Sequence, residues 1–235
     1  MVPGQLASWS GDCRNGNASG KGVLSVVRDG MLVVRFDGTM EGGKGTGLGT
    51  VTFTADGRHL RYVGTFEEST LDGYGMVVDP KGEHYIGEFE RDKPHGFGMY
   101  VSSAGSRYQG EWQAGKPAGK GYDRTAEGEE YFGEYVAGKR EGHGVLTFAN
   151  GARYIGAFEA GLPEGTGRWE GVKADVYEGE VRAGKAHGHG RYTSPEGDVY
   201  TGTFVDDLPE GELRVRYADG TEAVETWKDG KQVED

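Results

Sequence analysis

His187 and His189 stand one residue apart, the closest pair among the six histidines of the chain, and a metal ion is the first chemistry such a pair suggests. Zinc needs three or four ligands within a few ångströms. His143 and His189 lie two steps apart in the 23-residue period that runs through the chain. On adjacent-but-one hairpins that is about 19 Å. His187 and His189 remain open to a chance or inter-chain site, while His95 and His187 read as exposed turn residues, like the turns that hold them. No intrachain metal site is expected.

Gly43-Lys-Gly-Thr-Gly-Leu-Gly49 has the look of a phosphate loop. It lacks the G-x-x-x-x-G-K-[ST] order, and no helix is expected to follow it. The carboxylate pairs Glu67-Glu68, Glu129-Glu130 and Asp206-Asp207 invite an acid/base reading. That chemistry needs two carboxyls in a dry pocket with pKa values pushed apart. These pairs fall in strand ends and turns and read as solvated. Cys13 has no evident histidine partner and reads as a packed thiol, since a nucleophile needs an activated thiolate. Lys93, Lys116, Lys139 and Lys185 recur in one turn and could line up phosphates, but Leu162 and Leu208 replace them in other copies. No catalytic residue, no metal ligand and no cofactor is therefore expected, and the chain reads as non-enzymatic.

The elements that carry these residues are copies of one unit. Tyr85 to Arg107, YIGEFERDKPHGFGMYVSSAGSR, contains Tyr-x-Gly-x-Phe, a polar turn, Gly-x-Gly-x-Tyr and a glycine turn. The frame restarts at Tyr62, Tyr85, Tyr108, Tyr131, Tyr154, Tyr177 and Tyr200 without a slip. A fixed period in this range means a repeat architecture. Two looser copies occupy 9–61, one from Trp9-Ser10-Gly11 with Gly20-Lys21-Gly22, the other from Phe36-Asp37-Gly38 with its turn at Asp56-Gly57. Seven regular copies fill 62–222, and 223–235 is a degenerate cap that keeps Trp227. Residues 1–8 form a short lead. The whole chain, 1–235, reads as a single repeat domain.

Composition supports this. Glycine contributes 45 of 235 residues and the apolar fraction is 35%, too little for a thick core. Aromatics at 11%, at fixed positions, argue against disorder. One cysteine excludes a disulfide framework and fits a reducing, cytoplasmic setting. The first residues lack the pattern of a signal peptide. A net charge of −12 disfavours nucleic acid and anionic membrane surfaces.

Tyr85-Ile-Gly-Glu-Phe-Glu alternates as a strand does, Arg91 to His95 is turn material, and Gly96 to Ser102 is the return strand, with Ser103-Ala-Gly105-Ser the next turn. Connections this short join antiparallel neighbours. The expected fold is all-β: an elongated, single-layer antiparallel β-meander of stacked hairpin repeats, essentially without helix. Twenty strands would span roughly 95 Å before twist. Alternation places Tyr62, Phe66, Tyr85, Phe89, Tyr108, Trp112, Tyr131, Tyr135, Tyr154, Phe158, Tyr177, Tyr200 and Phe204 on one face, with Val181 at one fifth position. The first-strand glycines are Gly64, Gly87, Gly110, Gly133, Gly156, Gly179 and Gly202. The Gly-x-Gly set is Gly73, Gly75, Gly96, Gly98, Gly119, Gly121, Gly142, Gly144, Gly165, Gly167, Gly188, Gly190 and Gly211. Gly96, Gly98 and Tyr100 are assigned to a shared face. Each ring is expected to lie on glycine backbone, so that the sheet bends along its glycine line into an aromatic trough. The opposite face, with Ile86, Glu88 and Glu90, reads as polar and wet.

Tyr-x-Gly-x-Phe followed by Gly-x-Gly-x-Tyr at this spacing, clearest in Tyr108-Gln-Gly-Glu-Trp112, resembles the MORN repeat over about residues 9–213. Phe36-Asp-Gly-Thr-Met-Glu41 through Tyr62-Val-Gly-Thr-Phe66 also resembles the MORN-bearing region of SET-domain lysine methyltransferases, although the Asn-His pair of a SET domain is missing. The resemblance implies an antiparallel single-layer sheet with scaffold, dimerisation or tethering roles, and lipid binding is often proposed for the family. The expected function is a scaffold or spacer that binds a protein partner through the aromatic–glycine trough, or self-associates as a homo-oligomer through its terminal repeats. A peripheral phospholipid-binding module and a recognition arm for an enzyme on another chain are the alternatives. Nucleic acid is not an expected partner.

Overall fold

A computed structural model of the chain describes residues 5–55 and 57–233, so Asp56, the first four lead residues and the last two of the cap lie outside the described residues. The described residues contain no helix. The chain divides into two compact units, Met1–Pro117 and Ala118–Asp235.

The first unit holds β1 (Gln5–Trp9), β2 (Asp12–Arg14), β3 (Asn17–Arg28), β4 (Met31–Glu41), β5 (Lys44–Ala55), β6 (Arg58–Glu67), β7 (Thr70–Val78), β8 (His84–Glu90), β9 (Lys93–Val101) and β10 (Arg107–Gln113). β1 and β2 both pair with β3, and from β3 each strand runs antiparallel to the next. The boundary falls within β11 (Lys116–Arg124). The second unit continues with β12 (Glu130–Val136), β13 (Lys139–Thr147), β14 (Arg153–Glu159), β15 (Leu162–Glu170), β16 (Val176–Arg182), β17 (Lys185–Thr193), β18 (Val199–Val205), β19 (Leu208–Arg216), β20 (Glu222–Lys228) and β21 (Lys231–Val233). From β11 to β21 every consecutive pair is antiparallel. Each unit is thus the antiparallel meander that the period predicts.

The turns within copies are tighter than the sequence suggests. Glu90 pairs with Lys93, so Arg91 and Asp92 alone make the turn, at φ 48° and 66°. Two residues at positive φ match the twist of a hairpin. Pro94 and His95 belong to β9, and His187 to β17, instead of to turns. Both histidines are half-buried. The four recurrent lysines likewise open strands β9, β11, β13 and β17.

The extra length of the return strand is absorbed by a bulge. Gly87 pairs with Gly98, but the next residue, Glu88, pairs with His95, which leaves Gly96 and Phe97 as a two-residue insertion. Gly96 takes φ 57°, where a side chain is strained. Gly96 therefore does not share the face of Gly98 and Tyr100 as alternation alone implied. A Cβ on Gly96 would meet the Glu88 carboxylate on the other face, and Glu88 Oε1 accepts the Phe97 N–H at 3.0 Å.

Neighbouring copies are tied through their turns. The Asp92 N–H donates to the Leu71 carbonyl at 3.0 Å, while Asp92 Oδ1 accepts the Leu71 N–H at 2.7 Å. Asp207 does the same with Ala186, and Ser69 with Gly45. Where the earlier residue is a proline, at Pro94, Pro163 and Pro209, there is no N–H to satisfy, and the tying residue is Gly115, Gly184 or Gly230. The non-glycine turns thus offset their positive φ with a second hydrogen bond. Asp92→Ala should lower the unfolding free energy by about 1–3 kcal/mol, because it leaves the Leu71 N–H unpaired and keeps the strain. Asp92→Gly should cost less than Asp92→Ala. Urea denaturation of the two variants measures the difference.

Candidate functional site

The thirteen nominated aromatics are placed by one recurring contact. In five of the regular hairpins the two glycines face each other across the strands: Gly64 with Gly75, Gly87 with Gly98, Gly133 with Gly144, Gly156 with Gly167, and Gly179 with Gly190. The tyrosine two residues before the first glycine lies over the pair. A Cβ built on Gly98 would stand 2.5 Å from Cζ of Tyr85, and one on Gly87 would stand 2.5 Å from the Cα of Gly98. The glycines also align between hairpins, since Gly110 faces Gly98 and Gly121 faces Gly133. The loose copies obey the same rule, with Trp9 over Gly11 and Gly22 and Phe36 over Gly38.

The tyrosine hydroxyl then reaches past the glycine to donate to the carbonyl three residues on. Tyr85 bonds Glu88 at 2.9 Å, Tyr108 bonds Glu111 at 2.8 Å, and Tyr177 bonds Glu180 at 2.7 Å. Edge-to-face ring contacts link the copies. Phe89 sits 5.1 Å from its own Tyr85 and 5.2 Å from Tyr62 of the copy before, and Trp112 repeats this with Tyr108 and Tyr85, both at 5.1 Å. In the second unit Phe158 bridges Tyr154 and Tyr131. Such contacts contribute about 0.5–1.5 kcal/mol each beyond area burial.

Packing of this kind consumes the rings. Tyr62, Phe66, Tyr85, Phe89, Tyr108, Trp112, Tyr131, Tyr135, Tyr154, Phe158, Tyr177 and Phe204 are all buried, Tyr62 and Tyr131 completely. They form the core, and little of their surface is left for a partner. Tyr200 differs. Leu213 replaces the glycine that its ring would cover, is itself 0% exposed, and leaves Tyr200 half-exposed.

Burial raises the pKa of the core tyrosines above the ordinary 10.0, for Tyr131, Tyr154 and Tyr177 to about 12. Beside Tyr131, Asp123 occupies an inward position held by apolar or aromatic residues in the other regular copies. Its carboxylate accepts from Arg140 Nη2 at 2.9 Å and from the Tyr135 hydroxyl, and Arg140 caps the Tyr131 ring at 4.7 Å and reaches Glu129 at 2.9 Å. This is a closed ion-pair network in which each of these charges faces a partner.

The face opposite the rings is not uniformly polar. The residue between the Gly-x-Gly glycines points outward; in the first unit it is Lys21 in the first loose copy and then Leu48, Tyr74 and Phe97, exposed at 76%, 62% and 63%. Beside them Val63, Met76, Ile86 and Met99 stand directly opposite one another across β6–β9. The sequence reading missed this patch because it followed only the first strand of each hairpin on that face. In the second unit the matching row starts apolar, with Phe132, 62% exposed, opposite Val145 and Val145 opposite Ile155, and becomes charged where Glu178 stands between Arg168 and Arg191.

Among the described residues no three His, Cys, Asp or Glu side chains gather as a metal site. His95 pairs with Glu90 at 3.2 Å and His187 with Asp206 at 3.8 Å. Cys13 is exposed, not packed, because β2 lies at the margin of the first unit.

The family model described as MORN repeat matches residues 85–107, 108–122, 131–153, 154–173, 177–199 and 200–222. No curated protein matches the chain. The copy at Tyr62 lies outside the matched residues but has the same ring-on-glycine contact.

Gly144→Ala would press a methyl to 2.6 Å from Cζ of the buried Tyr131 ring and should cost about 1–3 kcal/mol or more. Gly211→Ala, at φ 77° with open space around it, should cost only the left-handed strain of about 1–2 kcal/mol. Chemical denaturation ranks the two. On titration with base, the neutral hydroxyl is favoured in the fold, so its contribution is complete below pH 10 and is lost as pH rises through the folded values near 12. Tyrosinate absorbance at alkaline pH should rise together with loss of the far-ultraviolet strand signal.

Proposed function

We propose that this chain, which belongs to the MORN-repeat family, is a non-catalytic interaction scaffold whose protein partner docks on the apolar outer face of the first unit. Repeats of this family are commonly protein- or membrane-interaction modules. One observation carries the choice of surface: the aromatic trough is filled by its own rings, while Leu48, Tyr74 and Phe97 stand out on the other side. An exposed apolar cluster on a sheet marks an interaction surface more often than chance exposure does. Aromatics in such a patch supply large contact area at small entropic cost.

A protein is favoured over an anionic membrane by the net charge of −12, which repels acidic headgroups. Catalysis is not part of this reading. The inward carboxylate cluster around Asp123 is paired throughout, and the family is generally non-catalytic.

Tyr74→Ser combined with Phe97→Ser removes two outward rings and should change stability by less than about 1 kcal/mol per site. Proteins captured by the parent chain should be lost from the double variant and retained by Val224→Ser, an exposed site in the second unit. Retention of the same partners by the double variant would contradict the assignment. Liposome co-sedimentation with anionic lipid at low salt should be negative, and robust binding would replace the protein partner with a membrane.

A further inference from the structure

The second unit contains a cavity of about 440 Å³ that the packing rule does not explain. It lies where the ring-on-glycine contact fails at Leu213, one copy after the aromatic ladder is interrupted at Val181. Val181 stands where the other regular copies carry an aromatic, and Leu213 stands where Tyr200 would find glycine. Tyr200, kept off the backbone, instead contacts Tyr192 at 6.1 Å on one side and Trp227 at 6.0 Å, edge-on, on the other. Trp169, Tyr192, Tyr200 and Trp227, all half-buried, line the cavity, and the buried pair Tyr177 and Phe204 lies beneath. Trp227 is fixed in place, because its Nε1–H donates to Glu225 at 2.9 Å and the Tyr217 hydroxyl donates to the same carboxylate.

The charge around these rings has one sign. Asp175 and Asp207 line the cavity, and no lysine or arginine is among its described lining residues. The hydroxyls of Tyr192 and Tyr200 are raised by burial and by the carboxylates of Asp175, Glu196 and Asp198 around them. Several aromatic rings lining one cavity with carboxylates nearby favour a cation of low hydration, since the ring quadrupole attracts it and little water must be stripped. A bare ammonium is held more strongly by water.

We propose that this cavity binds a methylated ammonium group, carried on a lysine side chain of a basic protein segment. Four rings supply the π surface, Asp175 and Asp207 supply the counter-charge, and the volume leaves room for the alkyl stem behind the charged head. The carrier is a peptide rather than a choline lipid, because the phosphodiester beside a choline nitrogen would be repelled by the same carboxylates. This site is separate from the outer face of the first unit and stands whether or not that face docks a partner.

Isothermal titration calorimetry on the full chain tests it with three short basic peptides alike except at one lysine: trimethylated, unmodified, or carrying a neutral tert-butyl analogue. The trimethylated peptide should bind saturably and about tenfold or more tighter than either other, and tetramethylammonium should compete. Trp227→Leu should lose about tenfold. Asp175→Asn, which keeps an oxygen acceptor, should weaken the cation alone and leave the melting temperature unchanged. Equal affinity for the charged and neutral peptides, or no saturable binding of the trimethylated one, would overturn the proposal. Binding to neutral phosphocholine vesicles that tetramethylammonium displaces would overturn the choice of a peptide carrier.

Discussion

Everything in this protein depends on a tyrosine ring lying over two glycines that face each other across a hairpin. A single-layer sheet has no second layer to cover its inner face. Removing two opposed Cβ atoms lets the sheet cover itself, because the ring descends onto backbone that a side chain would otherwise hold away. The hydroxyl finds a carbonyl three residues on, so the buried phenol is not left unpaired. The aromatic of the next copy closes the edge of the ring, and the contact repeats. Glycine costs about 0.5–1 kcal/mol per strand position relative to alanine. The edge-to-face pairs and the buried ring area offset that cost only when copies stack.

Much of this was legible from the residues alone. The 23-residue step located the hairpins, and alternation placed Tyr85, Gly87 and Phe89 on one face, where the structure has them. The loop Ser103-Ala-Gly105-Ser sits between β9 and β10. What failed to show was the bulge. Gly-x-Gly reads as two equivalent glycines, but Gly96 turns the chain at positive φ and only Gly98 lies beneath the ring. A period-two reading cannot register a two-residue insertion, so Pro94 and His95 looked like turn and Phe97 was never placed. The turns hid a second rule. Where the residue met in the preceding copy is a proline, as at Pro94, the turn carries glycine, whereas Asp92 also bonds the Leu71 N–H; Gly161, which meets Arg140, shows that an available N–H does not by itself demand an aspartate, and each of these pairings lies 21 residues away.

The same constraint redistributes function. The aromatic face, which the sequence nominates as a partner surface, is spent on holding the sheet together. Freedom is left at the outward residue of Gly-x-Gly, which varies from copy to copy: Lys21, Leu48, Tyr74 and Phe97 in the first unit, Lys120, His143, Thr166 and His189 in the second. A second kind of freedom arises where the rule is broken. Leu213 keeps the Tyr200 ring off the backbone on which intact copies bury theirs, and the cavity beside it has both shape and charge.

The most direct test of the central contact is a double-mutant cycle between Gly98→Ala and Tyr85→Ala, followed by chemical denaturation. If the cost of a Cβ at residue 98 is the displacement of the Tyr85 ring, Gly98→Ala should be expensive in the parent and mild once the ring is gone, with a coupling of at least about 1 kcal/mol. Additivity of the two changes to within about 0.5 kcal/mol would contradict the account.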